Sequence, residues 1–232
     1  MGLTMRGRKI VQYSRSQGST ARNSDDRLFG TPLGARSRAV LFLNAFFTGA
    51  AVMGFEMLVS RFLTPWFGSG IQTWAALIAV ALLALCVGYF AGGQIADRAP
   101  MLMVLAAINF VAGAFILAVP EFAAFLCEQV SGTIVDVRAG ALLAATVLMF
   151  VPFALLGMYT PFAIRLTLKS RAEAGRTSGL LYGVNTTGCI AGTLGVTFFI
   201  VPKIGTMAAT KATGSAVVVG AIIMALASLK NS

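Results

Sequence analysis

The chain contains six apolar blocks, each about as long as a helix that crosses a bilayer. They cover residues 39–62, 71–95, 101–120, 139–164, 178–201 and 206–228. About 20 apolar residues span the hydrocarbon core as a helix, and a helix satisfies all its backbone hydrogen bonds internally there. We therefore predict an all-α, polytopic membrane bundle of about six transmembrane helices.

The composition agrees with that fold class. Hydrophobic residues make up 57% of the chain and charged residues 11%, whereas a soluble domain carries roughly a quarter charged residues. Such a chain needs a lipid bilayer to cover its apolar surface. It has no histidine, the commonest metal ligand, and its cysteines, Cys86, Cys127 and Cys189, lie far apart in apolar blocks. We predict core cysteines, no metal and no cofactor.

Basic residues are concentrated before the first block and in one later loop. Residues 1–36 are rich in Ser, Gly and Arg and predict a disordered basic tail, which we prefer to a signal or transit peptide; residues 37–230 predict a six-span membrane domain. With the tail inside, 14 of the 18 basic residues are cytoplasmic and 4 are outside. The positive-inside rule then predicts both termini cytoplasmic, in the inner (plasma) membrane, and argues against a nucleic-acid partner.

The predicted connections between spans are short. They are Thr64–Gly70, Asp97–Pro100, Glu121–Arg138, Arg165–Thr177 and Pro202–Gly205. Pro120 is expected to limit the third span. Phe122, Phe125 and Leu126 share one helix face, so we expect Glu121–Val130 to form a separate interfacial helix.

A glycine pattern recurs in the second and fifth blocks. Gly88 and Gly92 are four residues apart, as are Gly188 and Gly192. Small residues at this spacing let two helix backbones approach closely, which is one interpretation. The other is a three-plus-three repeat whose two halves insert in opposite senses, with these blocks as the middle members.

One carboxylate, Glu56, lies deep in the first block. An ionisable group in hydrocarbon is a functional-site candidate by default. Glu56 is predicted either to bind a proton or cationic amine, or to lock the first span to a neighbour. Arg61 is five residues on, about 140° around the helix, so pairing within the span is poor. Ser60 shares the Glu56 face and is expected to donate a hydrogen bond to it.

The fifth block adds an amide and a tyrosine. Asn185, with Thr186 and Thr187, is expected either to form interhelical hydrogen bonds or to line a polar cavity. Tyr89, Tyr159 and Tyr182 are interpreted as interfacial anchors or as groups that face a cation. The candidate substrate-binding residues are Glu56, Arg61, Tyr182 and Asn185. No carboxylate pair or nucleophile–base pair predicts catalytic residues.

Four ordered stretches resemble a known family. Residues 54–69, 82–98, 157–165 and 178–188 resemble the membrane portion of bacterial proteins in which a transporter of the major facilitator type is fused to a spermidine synthase. Gly93, Asp97 and Arg98 fit G-x-x-x-D-R, half of the major facilitator loop motif, but Ala99-Pro100-Met101 departs from its continuation. The resemblance implies a bundle similar to half of a major facilitator fold. We interpret Asp97 with Arg98 as an exposed pair that caps a helix end.

In that family a soluble aminopropyltransferase-like domain normally follows the membrane portion. Nothing here resembles its nucleoside-binding turn, since the Gly-rich run Gly179–Gly195 lies in an apolar block. We therefore expect no catalytic activity from this chain. The resemblance implies a membrane subunit that anchors or serves a separately encoded spermidine-synthase-like partner in polyamine handling. The alternatives are a half-sized major-facilitator-like transporter acting as a homodimer, and a membrane scaffold without a substrate.

Overall fold

The structure is a computed structural model that describes residues 34–168 and 173–230. It is all-helical over that range. Its helices are α1 Ala35–Phe67, α2 Ile71–Arg98, α3 Leu102–Thr133, α4 Val137–Gly157, α5 Tyr159–Thr167, α6 Ala174–Leu194 and α7 Val201–Leu229, and the π-helical turn Gly195–Ile200 joins α6 to α7. The predicted tail up to residue 33, with Lys169 and Arg171 of the inner loop, lies outside the described residues.

Five stretches of the described chain are long and apolar enough to cross a membrane. They are Arg36–Phe67, Ile71–Arg98, Leu102–Thr133, Val137–Thr167 and Ala174–Leu229. The last is 56 residues long and contains Gly205, whose φ of 76° and ψ of 170° are not helical. Glycine adopts that conformation without the steric penalty of a Cβ. The prediction of a helical membrane bundle is confirmed.

The 56-residue stretch makes two passes, because its two halves run in opposite directions beside α1. Along α6 the direction is that of α1: a Cβ on Gly49 would meet Asn185, and one on Gly54 would meet Val196. Helix α7 runs the other way. The Asn44 side chain of α1 bonds Gly220 of α7, whereas Ala51, two turns later in α1, shares a groove with Ala216, one turn earlier in α7. The chain therefore makes the predicted six passes.

Two predicted boundaries are wrong. Helix α1 continues beyond residue 62 to Phe67 and ends at Gly68, which has a φ of 74°. Helix α3 continues through Pro120 to Thr133, so no separate interfacial helix forms. Proline is tolerated inside transmembrane helices because neighbouring groups satisfy the freed carbonyl. At 32 residues α3 is about 48 Å long, more than the roughly 30 Å of a hydrocarbon core, so it tilts or projects beyond it.

The fourth pass is broken at Met158, where α4 ends and α5 begins. Pro161 follows three residues later and has no N–H to bond the carbonyl of Gly157. At the first residue of α5, the Tyr159 hydroxyl donates to the main-chain carbonyl of Leu41 in α1. The predicted single span 139–164 is therefore two helices that make one pass.

The helix contacts agree with a three-plus-three repeat in which the second and fifth passes are equivalent. Helix α2 packs extensively on α4, and its counterpart α6 packs extensively on α1. The third and sixth passes, α3 and α7, pair with each other. Gly113 of α3 and Gly214 of α7 face one another there, since a Cβ on either would lie 3.0 Å from the other's carbonyl oxygen. These pairings are those expected of two halves related as an inverted repeat, the second of the two interpretations of the glycine pattern.

The four predicted packing glycines lie at equivalent places in that repeat. A Cβ on Gly88 would lie 2.2 Å from the Ala154 carbonyl oxygen, and one on Gly188 would lie 2.0 Å from that of Phe46. A turn further along, Gly92 lies against Met158 in the same way, and Gly192 lies against Ala50. A side chain at any of them would have to displace a neighbouring backbone. The predicted close-contact role is confirmed. These contacts determine which faces of α2 and α6 are covered by a neighbouring helix and which are not.

Candidate functional site

The Glu56 carboxylate lies inside the bundle. Its residue is 6% exposed, and it forms neither a hydrogen bond nor an ion pair with any residue that the structure describes. The expected bond from Ser60 is wrong, because the Ser60 hydroxyl donates to the carbonyl of Met57 at 2.7 Å. Serine on a helix commonly bonds a carbonyl of the preceding turn, so the local acceptor wins.

Arg61 points away from Glu56, as its position around the helix predicts. It is exposed and lines a separate pocket near the C-terminal end of α1. The two residues, both predicted to bind a substrate, therefore belong to different surfaces. A buried carboxylate such as that of Glu56 is neutralised by protonation, by a group from another helix or by a ligand.

Helix α6 supplies the polar groups nearest to Glu56. Cys189 is close enough to the Glu56 carboxylate to interact electrostatically with it. One turn earlier, the Asn185 amide donates from Nδ2 to the carbonyl of Ala45 at 3.1 Å, and its Oδ1 accepts from the Cys189 Sγ at 3.8 Å. Asn185 therefore links α6 to α1 and orients Cys189. The interhelical interpretation of Asn185 agrees with this geometry.

Two tyrosines lie on the uncovered faces of α2 and α6. Tyr89 of α2 interacts electrostatically with both Tyr182 and Cys189 of α6. The two tyrosines are 45% and 52% exposed, so their rings and hydroxyls remain accessible. Helices α2 and α6 share no extended packing, and we call the region between them, flanked by Tyr89 and Tyr182, the cleft. Cys189 is within electrostatic range of both Glu56 and Tyr89, and Glu56 is the most buried of the four residues.

The tight glycines position this cleft. Gly88 presses α2 onto α4 and leaves the adjacent Tyr89 on the uncovered side. Gly188 presses α6 onto α1 in the same way and leaves the adjacent Cys189 beside the Glu56 face.

We interpreted Cys86, Cys127 and Cys189 as core residues, but Cys127 is buried, Cys189 is half-buried and Cys86 is exposed, so the interpretation is wrong for Cys86. Tyr89 was considered only as one of three tyrosines. The sequence signal for Cys189 and Tyr89 is that each directly follows a helix-packing glycine.

The other candidates lie elsewhere. Tyr159 is buried against α1 through its bond to Leu41, and Thr187 bonds the Gly183 carbonyl of its own helix at 2.8 Å. Asp97, in the last turn of α2, forms an ion pair with Arg165 of α5 at 3.3 Å. The interpretation of Asp97 as the partner of Arg98 is therefore wrong. The exposed Asp97 carboxylate pairs with the Arg165 guanidinium at the neighbouring helix end. Gly93 is not a close-contact glycine, since nothing lies within 4 Å of an added Cβ.

The cleft does not resemble a metal or catalytic centre. Within residues 34–168 and 173–230, no three His, Cys, Asp or Glu residues form a group that could hold a metal ion. What the arrangement offers is one buried carboxylate below two accessible aromatic rings. That set suits a cation, because the carboxylate supplies charge and an aromatic face attracts a cation through its quadrupole.

Comparison of the chain with protein-family models, with curated proteins and with solved structures finds no match in any of the three.

Proposed function

We propose that this chain is an integral membrane subunit that binds an organic cation, of the polyamine class, in the cleft between α2 and α6. The observation that carries the proposal is the buried Glu56 carboxylate, which has no ion-pair partner in the described part of the chain. A charged group removed from water costs several kcal/mol unless it is neutralised. An amine that enters the cleft supplies the missing charge.

The two tyrosines support an organic rather than an inorganic cation. Tyr89 of α2 and Tyr182 of α6 place one half-exposed aromatic ring on each of the helices that flank the cleft. Alkylammonium groups bind aromatic faces by cation–π attraction of about 0.5–2 kcal/mol and bury their methylene groups against the rings. A flexible polyamine can lie along the cleft with one ammonium group at Glu56.

The role beside a synthase follows from the resemblance of residues 54–69, 82–98, 157–165 and 178–188 to the membrane portion of spermidine-synthase-like proteins. We propose that the chain anchors or serves a separately encoded aminopropyltransferase-like protein and handles its polyamine. Co-purification of that protein, when its gene neighbours this one, would support the assignment. Its absence from the gene neighbourhood would favour the transporter alternative.

The direct test uses spermidine and the purified chain in detergent. Isothermal titration is expected to show saturable binding that Glu56→Gln weakens by at least about tenfold, the effect of losing one charge-assisted interaction. Glu128→Gln is the matched control, because Glu128 is an exposed carboxylate of α3. Binding that is absent, or that Glu128→Gln weakens as much as Glu56→Gln does, would contradict the proposal.

A half-sized transporter acting as a homodimer is the second candidate. Of the residues in α6, only Leu181, Gly188 and Gly192 are buried, so much of the surface of this helix is uncovered within one copy. A second copy that covers the uncovered faces of α2 and α6 would enclose the cleft. Native mass spectrometry from nanodiscs tests this: a dimer that Tyr182→Arg dissociates would favour the transporter, and a monomer would exclude it.

We also propose that both termini are cytoplasmic, on the 14-to-4 distribution of basic residues. A reporter that is active only in the cytoplasm is expected to work when fused after Ser232 or within Arg165–Arg176. Activity of the same reporter at the Pro202–Gly205 turn would contradict the orientation.

A further inference from the structure

A second pocket, distinct from the Glu56 cleft, opens near the C-terminal end of α1. It has a volume of about 270 Å³ and lies between α1, the start of α2 and the π-helical turn after α6. Its polar lining includes Ser60, Arg61 and Thr64 of α1, Thr73 of α2 and Thr197 of the π turn. No acidic residue lines it. The pocket is therefore basic, whereas the cleft is acidic.

Thr197 differs from the other buried or half-buried threonines around it. Thr193 of α6, and Thr210 and Thr213 of α7, each donate to the carbonyl four residues earlier, at 2.9 Å in every case. The Thr197 hydroxyl oxygen is buried and has no hydrogen-bond partner in the described residues. It lies in the π turn, whose wider hydrogen-bond register removes the usual acceptor. Single π turns inside helices often mark functional sites, and Thr197 of this one is among the residues that line the pocket.

Arg61 is the pocket's only charged residue and has no ion-pair partner among the residues that the structure describes. Of the four other hydroxyls that line the pocket, three donate to main-chain carbonyls: Ser60 to Met57, Thr64 to Ser60, and Thr73 to Phe67. The donors left for a ligand are therefore the guanidinium and the hydroxyls of Thr197 and of the exposed Ser69. Hydroxyl hydrogens rotate to suit a partner, so the Ser60 and Thr64 hydroxyls on the same wall can also donate to a ligand.

We propose that this pocket binds an anionic group, a phosphate or a carboxylate, between Arg61 and Thr197. A guanidinium holds either group through two parallel N–H···O bonds, and a hydroxyl donor completes the set. Because the pocket lies at the end of membrane-spanning helices, the anion is carried either by a lipid headgroup or by a small solute outside the membrane. This site is independent of the cation proposed for Glu56.

The test separates the two sources. Native mass spectrometry of the full chain released from nanodiscs measures retention of phosphatidylglycerol against phosphatidylcholine. Thermal unfolding of delipidated protein in detergent, with added inorganic phosphate or acetate, measures binding of a solute anion. Arg61→Gln and Thr197→Val are the two variants. Arg138→Gln is the matched control, since Arg138 is also exposed and begins α4 on the same side of the bundle.

We expect Arg61→Gln to reduce anion binding about tenfold, the effect of losing one charged hydrogen-bond donor, and Thr197→Val to reduce it by a smaller factor. Selective retention of phosphatidylglycerol assigns a headgroup, and stabilisation by phosphate or acetate assigns a solute. Thr197→Val should not lower the melting temperature without an anion, because its hydroxyl has no described protein partner. The proposal is overturned if neither probe binds, or if Arg138→Gln has the same effect as Arg61→Gln.

Discussion

The contacts between α2 and α4 and between α1 and α6 occupy equivalent places in the inverted repeat, yet they differ in chemistry. Both are closed by glycines that bring backbones together, Gly88 in one and Gly188 in the other. Among the described residues, no side-chain hydrogen bond joins α2 to α4, whereas Asn185 donates across the contact between α6 and α1. Glu56 also belongs to the second contact. One kind of glycine contact is thus used twice. Within the part of the chain that the structure describes, the interhelical amide hydrogen bond occurs in one copy, whereas the exposed Asp97–Arg165 ion pair links α2 to the fourth pass in the other.

This difference separates two kinds of substitution. Changes to the shared glycine contacts should affect both halves alike and act on stability. Changes to the polar groups should matter only where α1, α2 and α6 meet. A half-specific effect of a glycine, or a whole-bundle effect of a polar group, would contradict the comparison.

The largest effect is expected from the glycines. Gly88→Ala and Gly188→Ala would place a Cβ 2.2 Å and 2.0 Å from backbone oxygens, so the helices must separate. Overpacking of this kind costs about 1–3 kcal/mol, and both variants should melt at similarly lowered temperatures in detergent. Gly183→Ala is the control, because nothing lies within 4 Å of its added Cβ. A loss in one variant only would mean that the two contacts are not equivalent.

A smaller effect is expected where the two halves do differ, at the break in the fourth pass. Tyr159→Phe removes the buried hydroxyl that ties the start of α5 to Leu41. The ring still fits, so only the hydrogen bond is lost, at about 0.5–1.5 kcal/mol. Thermal unfolding should show this loss for Tyr159→Phe and none for Tyr182→Phe, whose ring is half exposed. An unchanged Tyr159→Phe variant would mean that Pro161 alone maintains the break.

The sequence predicted the fold well because the bilayer makes apolar length nearly decisive. Six blocks became six passes, and glycine spacing identified the close contacts of Gly88 and Gly188. Prediction from the sequence failed where backbone hydrogen bonding determines how a helix continues. Pro120 was expected to end a helix and does not, and nothing in the apolar run Gly195–Ile200 indicated a π turn. The residue pattern cannot show which groups of a packed bundle satisfy a carbonyl that proline leaves without its helical N–H donor.

The candidate site was predicted only in part. The depth of Glu56 in its block correctly placed it inside, because a lipid-facing carboxylate is costly. Its surroundings could not be predicted, since Cys189, which interacts with Glu56, and Tyr89, which interacts with Cys189, lie on helices more than 30 residues away in sequence. Arg61 was grouped with Glu56 on sequence proximity, but five helical residues turn it onto a different surface. Angular position was a better guide than distance along the chain.

The smallest expected effect concerns the two amides that join α1 to its neighbours. Asn44 donates to Gly220 at 2.8 Å and Asn185 to Ala45 at 3.1 Å, which joins α1 to α7 and α6. Interhelical hydrogen bonds in membranes average about 0.6 kcal/mol, because the separated helices also find partners. Asn44→Leu and Asn185→Leu should each lower the free energy of unfolding by about that amount in detergent titrations. Thr187→Val, which alters a bond inside one exposed helix, is the control. A loss above about 2 kcal/mol in either Asn variant would mean that polar links, rather than the glycine contacts common to both halves, hold α1 in place.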